Sequence, residues 1–153
     1  MEVNLDSILE RLEKISRTSP SLGTIRLDIP LRVPPKARPK MTQRGGKRWW
    51  FTPSSSSEEE IGLYASKLMR ENGWKPFGGR VKLSATIYIT GRRRADLSNY
   101  LKSIEDALEG VCYYNDIQIS EYGKVRVVDK ARENKLIVEL TDLGKIERNR
   151  RKK

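Results

Sequence analysis

Residues 91–119 read GRRRADLSNYLKSIEDALEGVCYYNDIQI, and this stretch constrains both the fold and the chemistry more than any other. Leu97, Tyr100, Leu101, Ile104, Leu108 and Val111 recur at helical spacing and fall within an arc of about 100°. The spacing predicts a helix over 97–109, stopped by Gly110, with that arc on the core. The opposite side carries Asn99, Lys102 and Asp106. Asp96 extends the same face at the N-terminal end, where the helix dipole favours a carboxylate. A second candidate carboxylate, Asp116, follows a short turn, and Arg92, Arg93 and Arg94 precede the helix. Acids beside a lysine and next to an arginine run suit metal-dependent phosphodiester chemistry, in which a polyanion is attracted while oxygen ligands hold a hard divalent cation. Such spacing is more often only the solvated face of an amphipathic helix, so spacing alone leaves both readings open.

Working outward, residues 24–33 alternate Ile25, Leu27, Ile29, Leu31 and Val33 and predict a half-buried strand, with Pro30 arguing for an edge position or a bulge. Val81, Leu83, Ala85, Ile87 and Ile89 alternate in a second strand. Residues 118–128 and 135–141 predict two more, joined by a charged turn over 130–134. Ser57 followed by Glu58, Glu59 and Glu60 resembles a capping box that opens a helix to about Glu71. Residues 36–56 are expected to form a long basic loop, functional or without fixed structure. Leu5, Ile8, Leu9, Leu12 and Ile15 form one helical stripe. The expected architecture is α+β: a small mixed or antiparallel sheet packed with two core helices, plus an appended N-terminal helix. It divides into an amphipathic helix at 1–20, one domain at 21–143 and a basic tail without fixed structure at 144–153.

Absences narrow the chemistry. The chain has no histidine, which excludes His–carboxylate zinc sites, Ser–His and Cys–His nucleophilic pairs and a histidine base. Its one cysteine, Cys112, excludes an intrachain disulfide or a thiolate cluster and is expected to be a buried free thiol. A metal would therefore be Mg²⁺ or Mn²⁺ on oxygen ligands. No apolar run approaches a membrane span, and the N-terminus is unlike a signal peptide, so a cytoplasmic location and no membrane partner are expected.

The net charge of +11 is concentrated. Residues 36–48 hold Lys36, Arg38, Lys40, Arg44, Lys47 and Arg48 with no acid, and the 145–153 tail holds six basic residues against Glu147. Basic loops and a basic tail on a mildly acidic body are the footprint of a nucleic-acid binder. Lys124 and Asn99 join the candidate contacts. Trp49, Trp50 and Phe51 lie among these charges and have two readings: stacking on opened bases, or closing the core or a subunit interface. Tyr113 and Tyr114 are expected to pack rather than bind.

The 91–119 stretch resembles the signature of RusA-type Holliday junction resolvases, approximately R-x-D-L-D-N-x-x-K-x-x-x-D-A-L followed by D-D-x-Q-I. PPKARPKMTQRGG resembles that family's proline-and-basic segment after its first strand. The resemblance spans about residues 24–142. It implies a homodimer that binds four-way DNA junctions and, with Mg²⁺ or Mn²⁺ and no organic cofactor, nicks two opposing strands in recombination or repair. Position by position it makes Asp96 the first motif aspartate, Lys102 the catalytic lysine, Asp106 the aspartate of the D-A-L element, and Asp116 the second acid of the downstream pair. The expected site has Asp96 and Asp116 holding the metal, Asp106 as a further candidate ligand, and Lys102 beside the scissile phosphate. Arg92, Arg93 and Arg94 would grip flanking phosphates. Ser98 and Asn115 depart from the pattern, each replacing an acid. Either the site works with fewer carboxylates, which is the expectation, or the protein binds junctions with weak or lost nuclease activity.

Overall fold

The computed structural model describes residues 4–18, 23–36, 40–51 and 56–145. In chain order the elements are α1 (Leu5–Thr18), β1 (Thr24–Ile29), β2 (Lys40–Arg44), β3 (Lys47–Phe51), α2 (Ser56–Glu71), β4 (Arg80–Tyr88), α3 (Leu97–Leu108), β5 (Ile119–Val128) and β6 (Lys135–Gly144). Four strands form a mixed sheet in the order β1-β6-β4-β5. β6 runs antiparallel to both β1 and β4, whereas β5 is parallel to β4. The fold is α+β, as the sequence patterning predicts.

Each core strand buries alternate residues, which is the period-two signature read in the sequence. Ile25, Leu27 and Ile29 of β1, Leu136, Val138 and Leu140 of β6, and Val81, Leu83, Ala85 and Ile87 of β4 join Ile61, Ala65 and Met69 of α2 and Tyr100, Ile104 and Leu108 of α3 in one core. Gly62 makes the helix pair possible: a Cβ there would lie 2.9 Å from the Ala107 carbonyl oxygen of α3. β1 stops at Ile29, and Pro30 follows on an edge strand, where a missing N–H removes no ladder bond.

Two expectations need correction, and the strand order adds what the sequence left open. Residues 36–56 are not one long loop, because β2 and β3 pair as an antiparallel ribbon around Gly45 and Gly46. Those glycines have φ of +60° and +76°, the left-handed pair that a tight two-residue turn requires. Although β5 and β6 are joined by a short charged turn, they are not neighbours; β4 lies between them. The buried face of α3 is also wider than the apolar arc, taking in Ser103, Glu105 and Ala107. Of the N-terminal stripe, Leu5 is exposed and Ile8 and Leu9 are half-buried. The tail at 146–153 lies outside the described residues. No described helix is long and apolar enough to cross a membrane.

The unit β4–α3–β5 positions the candidate site. Because β4 and β5 are parallel, α3 must run back across the sheet, so its two ends lie at opposite ends of the strands. Asp96 stands at the N-cap position of α3, and Asp116 begins the short 3₁₀ turn that leads into β5.

Candidate functional site

Four carboxylates and two lysines converge near the C-terminal half of α3. Lys102 reaches Asp106, one turn further on, at 3.2 Å and Asp116 at 3.6 Å. Lys36, from the segment after β1, lies 2.9 Å from Asp106 and 3.3 Å from Glu58 of α2. The backbone N–H of Lys36 donates to the Asn99 carbonyl at 3.0 Å, which lays this segment along α3. The result is an alternating chain of charges, Glu58–Lys36–Asp106–Lys102–Asp116. One carboxylate oxygen from each of Asp106, Glu109 and Asp116 lies within 4.8 Å of the others.

These contacts set the protonation of the group. Partial burial opposes ionisation of Asp106, but hydrogen bonds and charge from Lys36 and Lys102 outweigh it and hold its carboxyl below the usual value. The hydrogen bond to Asp106 raises Lys36, with Glu58 adding to it against the effect of burial. Burial works against the charged form of Lys102, yet its hydrogen bond to Asp106 and the charges of Asp106 and Asp116 raise it on balance. Both lysines are therefore firmly cationic and Asp106 firmly anionic at neutral pH.

The turn carrying Asp116 is built by Gln118, which is fully buried. Its side-chain amide donates to the carbonyls of Phe77 at 2.7 Å and Gly79 at 2.9 Å. Its side-chain oxygen accepts from the backbone of Tyr114 at 2.7 Å and Asn115 at 3.0 Å. Asn115 caps the same turn by accepting from Ile117 N–H at 3.1 Å. Asn115, which stands in place of an acid, thus shapes the turn. The backbone N–H of Asp116 donates to Glu109 at 3.2 Å, tying the two acids together. Beneath, Tyr122 of β5 donates to the carboxylate of the buried Glu105; burial first, then this bond, pushes its hydroxyl up to about 12.

The other expected residues are elsewhere. Asp96, the N-cap of α3, makes no side-chain capping bond. It lies ten residues before Asp106, about 15 Å along the helix axis at the α-helical rise. Arg92, Arg93 and Arg94 share that far end, exposed between β4 and α3. Arg93 N–H donates to Asp129 at 3.0 Å and Arg94 N–H to the Tyr100 hydroxyl at 3.4 Å. Within one chain the structure therefore brings together Lys102, Asp106 and Asp116, and leaves Asp96 and the arginine run apart from them. Ser98 is exposed on the first turn of α3, and Asn99 is half-buried. Lys124 is exposed on β5, Lys47, Arg48 and Trp50 are exposed on β3, and Arg38 lies outside the described residues. The backbones of Lys40, Arg44 and Trp49 belong to the ribbon, but their side chains lie outside what is described. Cys112 is buried and its thiol is pushed up to about 12 by burial, consistent with an unreactive core residue. Tyr113 is buried as expected, donating to the Glu105 carbonyl at 2.6 Å; Tyr114, contrary to expectation, is 42% exposed.

Sequence reading missed Lys36, Glu58 and Glu109 as members of this group. Glu109 follows Asp106 by three residues, so helical spacing could have found it. Lys36 and Glu58 come from other elements and left no local signal.

A basic chain whose carboxylates and lysines gather beside one helix of an α+β domain has the character of an enzyme acting on phosphodiesters. The family model described as Endodeoxyribonuclease RusA matches residues 30–141 of the 153. The chain belongs to that endodeoxyribonuclease family. No curated protein matches it.

Proposed function

We propose that this protein is a metal-dependent endodeoxyribonuclease that resolves four-way DNA junctions in recombination or repair. The observation that carries the reading is the grouping of Lys102 with Asp106 and Asp116 in a chain of this family. Asp106, Glu109 and Asp116 supply only oxygen donors at mutual distances within 4.8 Å, a set that fits Mg²⁺ or Mn²⁺. A divalent cation held there would supply Lewis-acid stabilisation to the phosphodiester under attack. Lys102 presents its ammonium at the edge of this set, placed to neutralise charge that develops on the phosphate. Gln118 and Asn115 fix the turn from which Asp116 projects.

Asp96 enters the reading through the family motif, as an acid at the other end of α3 together with Arg92, Arg93 and Arg94. The arginines would hold flanking phosphates there. Paired symmetric nicks need two copies of the site, which a homodimer provides on a junction of matching symmetry.

The second reading, a junction-binding protein with little nuclease activity, draws on one observation. Asp106 is already shared by two lysines, and Ser98 adds no charge to help hold a cation. Cleavage of a labelled mobile four-way junction separates the two readings. Under the first, paired nicks appear with Mg²⁺ or Mn²⁺, vanish with EDTA, and are lost in Asp116→Asn and Lys102→Ala while junction binding persists. Asp96→Asn tests the far-end acid independently. Tight binding without nicks, with activity gained in Ser98→Asp, would establish the second reading.

A further inference from the structure

The β2–β3 ribbon has a face that nothing in the described chain covers. Register pairs Met41 with Trp50 and Gln43 with Arg48, and strand alternation puts these four residues on one side. All four are exposed; Met41 retains 51% of its accessible surface and Trp50 retains 70%. A solvent-facing tryptophan paired with a methionine is an apolar shelf, and its surroundings are cationic. Residues 40–51 carry Lys40, Arg44, Lys47 and Arg48 and no acid.

The shelf is also close to the carboxylate group along the chain. Lys36 is held at Asp106 by a 2.9 Å ion pair. Met41 follows it by five residues, so it lies at most about 18 Å away, whatever path the chain takes. Single-stranded nucleic acid is recognised by this combination, in which cationic groups track the phosphates while an aromatic ring takes a base face. In an intact duplex, bases are stacked and paired and offer no free face. At a branch point they do.

We propose that the Met41–Trp50 face of the β2–β3 ribbon is a stacking platform for an unpaired base at the branch point of DNA, within about five nucleotides of the strand held at the carboxylates. This rests on the junction reading above and gives it a source of selectivity over intact duplex: phosphate contacts are available on any DNA, whereas a platform for an open base rewards DNA whose bases are exposed, as at a branch point. Arg48, across from Gln43 on the same face, is placed to meet the phosphate adjoining the stacked base.

The test uses the full chain in EDTA, so that cleavage does not intervene. Dissociation constants are measured for a four-way junction and for a duplex of the same arm sequence, with the parent, Trp50→Ala, Trp50→Phe and Met41→Ala. The expected result is a loss of about tenfold on the junction for Trp50→Ala, less than about twofold on the duplex, and near-parent binding for Trp50→Phe, which keeps a ring. 2-Aminopurine at the branch point should be quenched on binding by the parent and less so by Trp50→Ala. Circular dichroism verifies the fold, and a residue this exposed should tolerate substitution. A parent that prefers junctions combined with a silent Trp50→Ala, or an equal loss on junction and duplex, would overturn the platform and leave the junction reading intact. A parent with no preference for the junction would overturn both.

Discussion

Asp106 accepts two ammonium groups at once, and that sharing governs what can be measured at the scale of single residues. Its carboxyl is held below the ordinary value in the fold, so the stabilisation it gives is complete above the unfolded carboxyl's pKa near 4 and is lost as pH falls through the lower folded value. Asp106→Asn should therefore melt lower than the parent at pH 7, and the two melting curves should converge as the pH falls below the ordinary carboxyl value and through the lower folded one. The difference at neutral pH should be no more than about 1 kcal/mol, since these are partly solvated pairs. Lys36 offers a second test. Lys36 meets Oδ2 of Asp106 while Lys102 meets Oδ1, so removing Lys36 should free the carboxylate to turn away from Lys102. Lys36→Met should lower kcat on the junction on the order of tenfold with little change in KM, and Lys36→Arg should recover most of it. The carboxylate and lysine residues on α3 were legible in the sequence because they share a helix face. Lys36 and Glu58 were not, because their meeting with α3 depends on how three elements pack.

Among the elements, the parallel pair β4–β5 and the turn before it hold the greatest sensitivity. Gly123 faces Ser84 so closely that a Cβ would come 2.1 Å from its hydroxyl oxygen. Gly123→Ala should destabilise by roughly 1–3 kcal/mol in denaturant unfolding, and Ser84→Ala in the same chain should recover a large part, since it removes the clashing atom. Gln118→Leu should be worse, at roughly 3 kcal/mol or more, because four backbone groups around the Asp116 turn lose their partner. It should also lower cleavage more than junction binding. Element type and order were largely readable: alternation marked β1 and β4, 3.6-residue spacing marked α3, and the capping-box-like start at Ser57 marked α2. The ribbon escaped because basic and polar residues mask alternation in β2 and β3. Only the Gly45–Gly46 pair hinted at it. Strand order was equally hidden, since a short connection between β5 and β6 does not reveal that β4 lies between them.

For the whole molecule, a surplus of 31 basic over 20 acidic residues sets how it meets its partner. Binding to any DNA should weaken steeply with salt, and Lys47→Glu with Arg48→Glu should reduce the slope of log affinity against log salt by about two if both residues touch phosphates. The same scale exposes what the strand order demands of assembly. β6, the last of the described strands, sits between β1 and β4, with Thr24 facing Thr141 across almost the full length of the domain. Until residues 135–144 are in place, β1 has no partner in the main sheet and β4 is bonded on one side only. Closing so long a loop is slow, and the open edges invite mispairing with other chains meanwhile. During synthesis, then, the carboxylates of α3 and its Lys102 leave the ribosome well before the strand that completes the sheet beneath them. A chain cut short before that strand should yield a degradation substrate rather than a half-built member of this nuclease family.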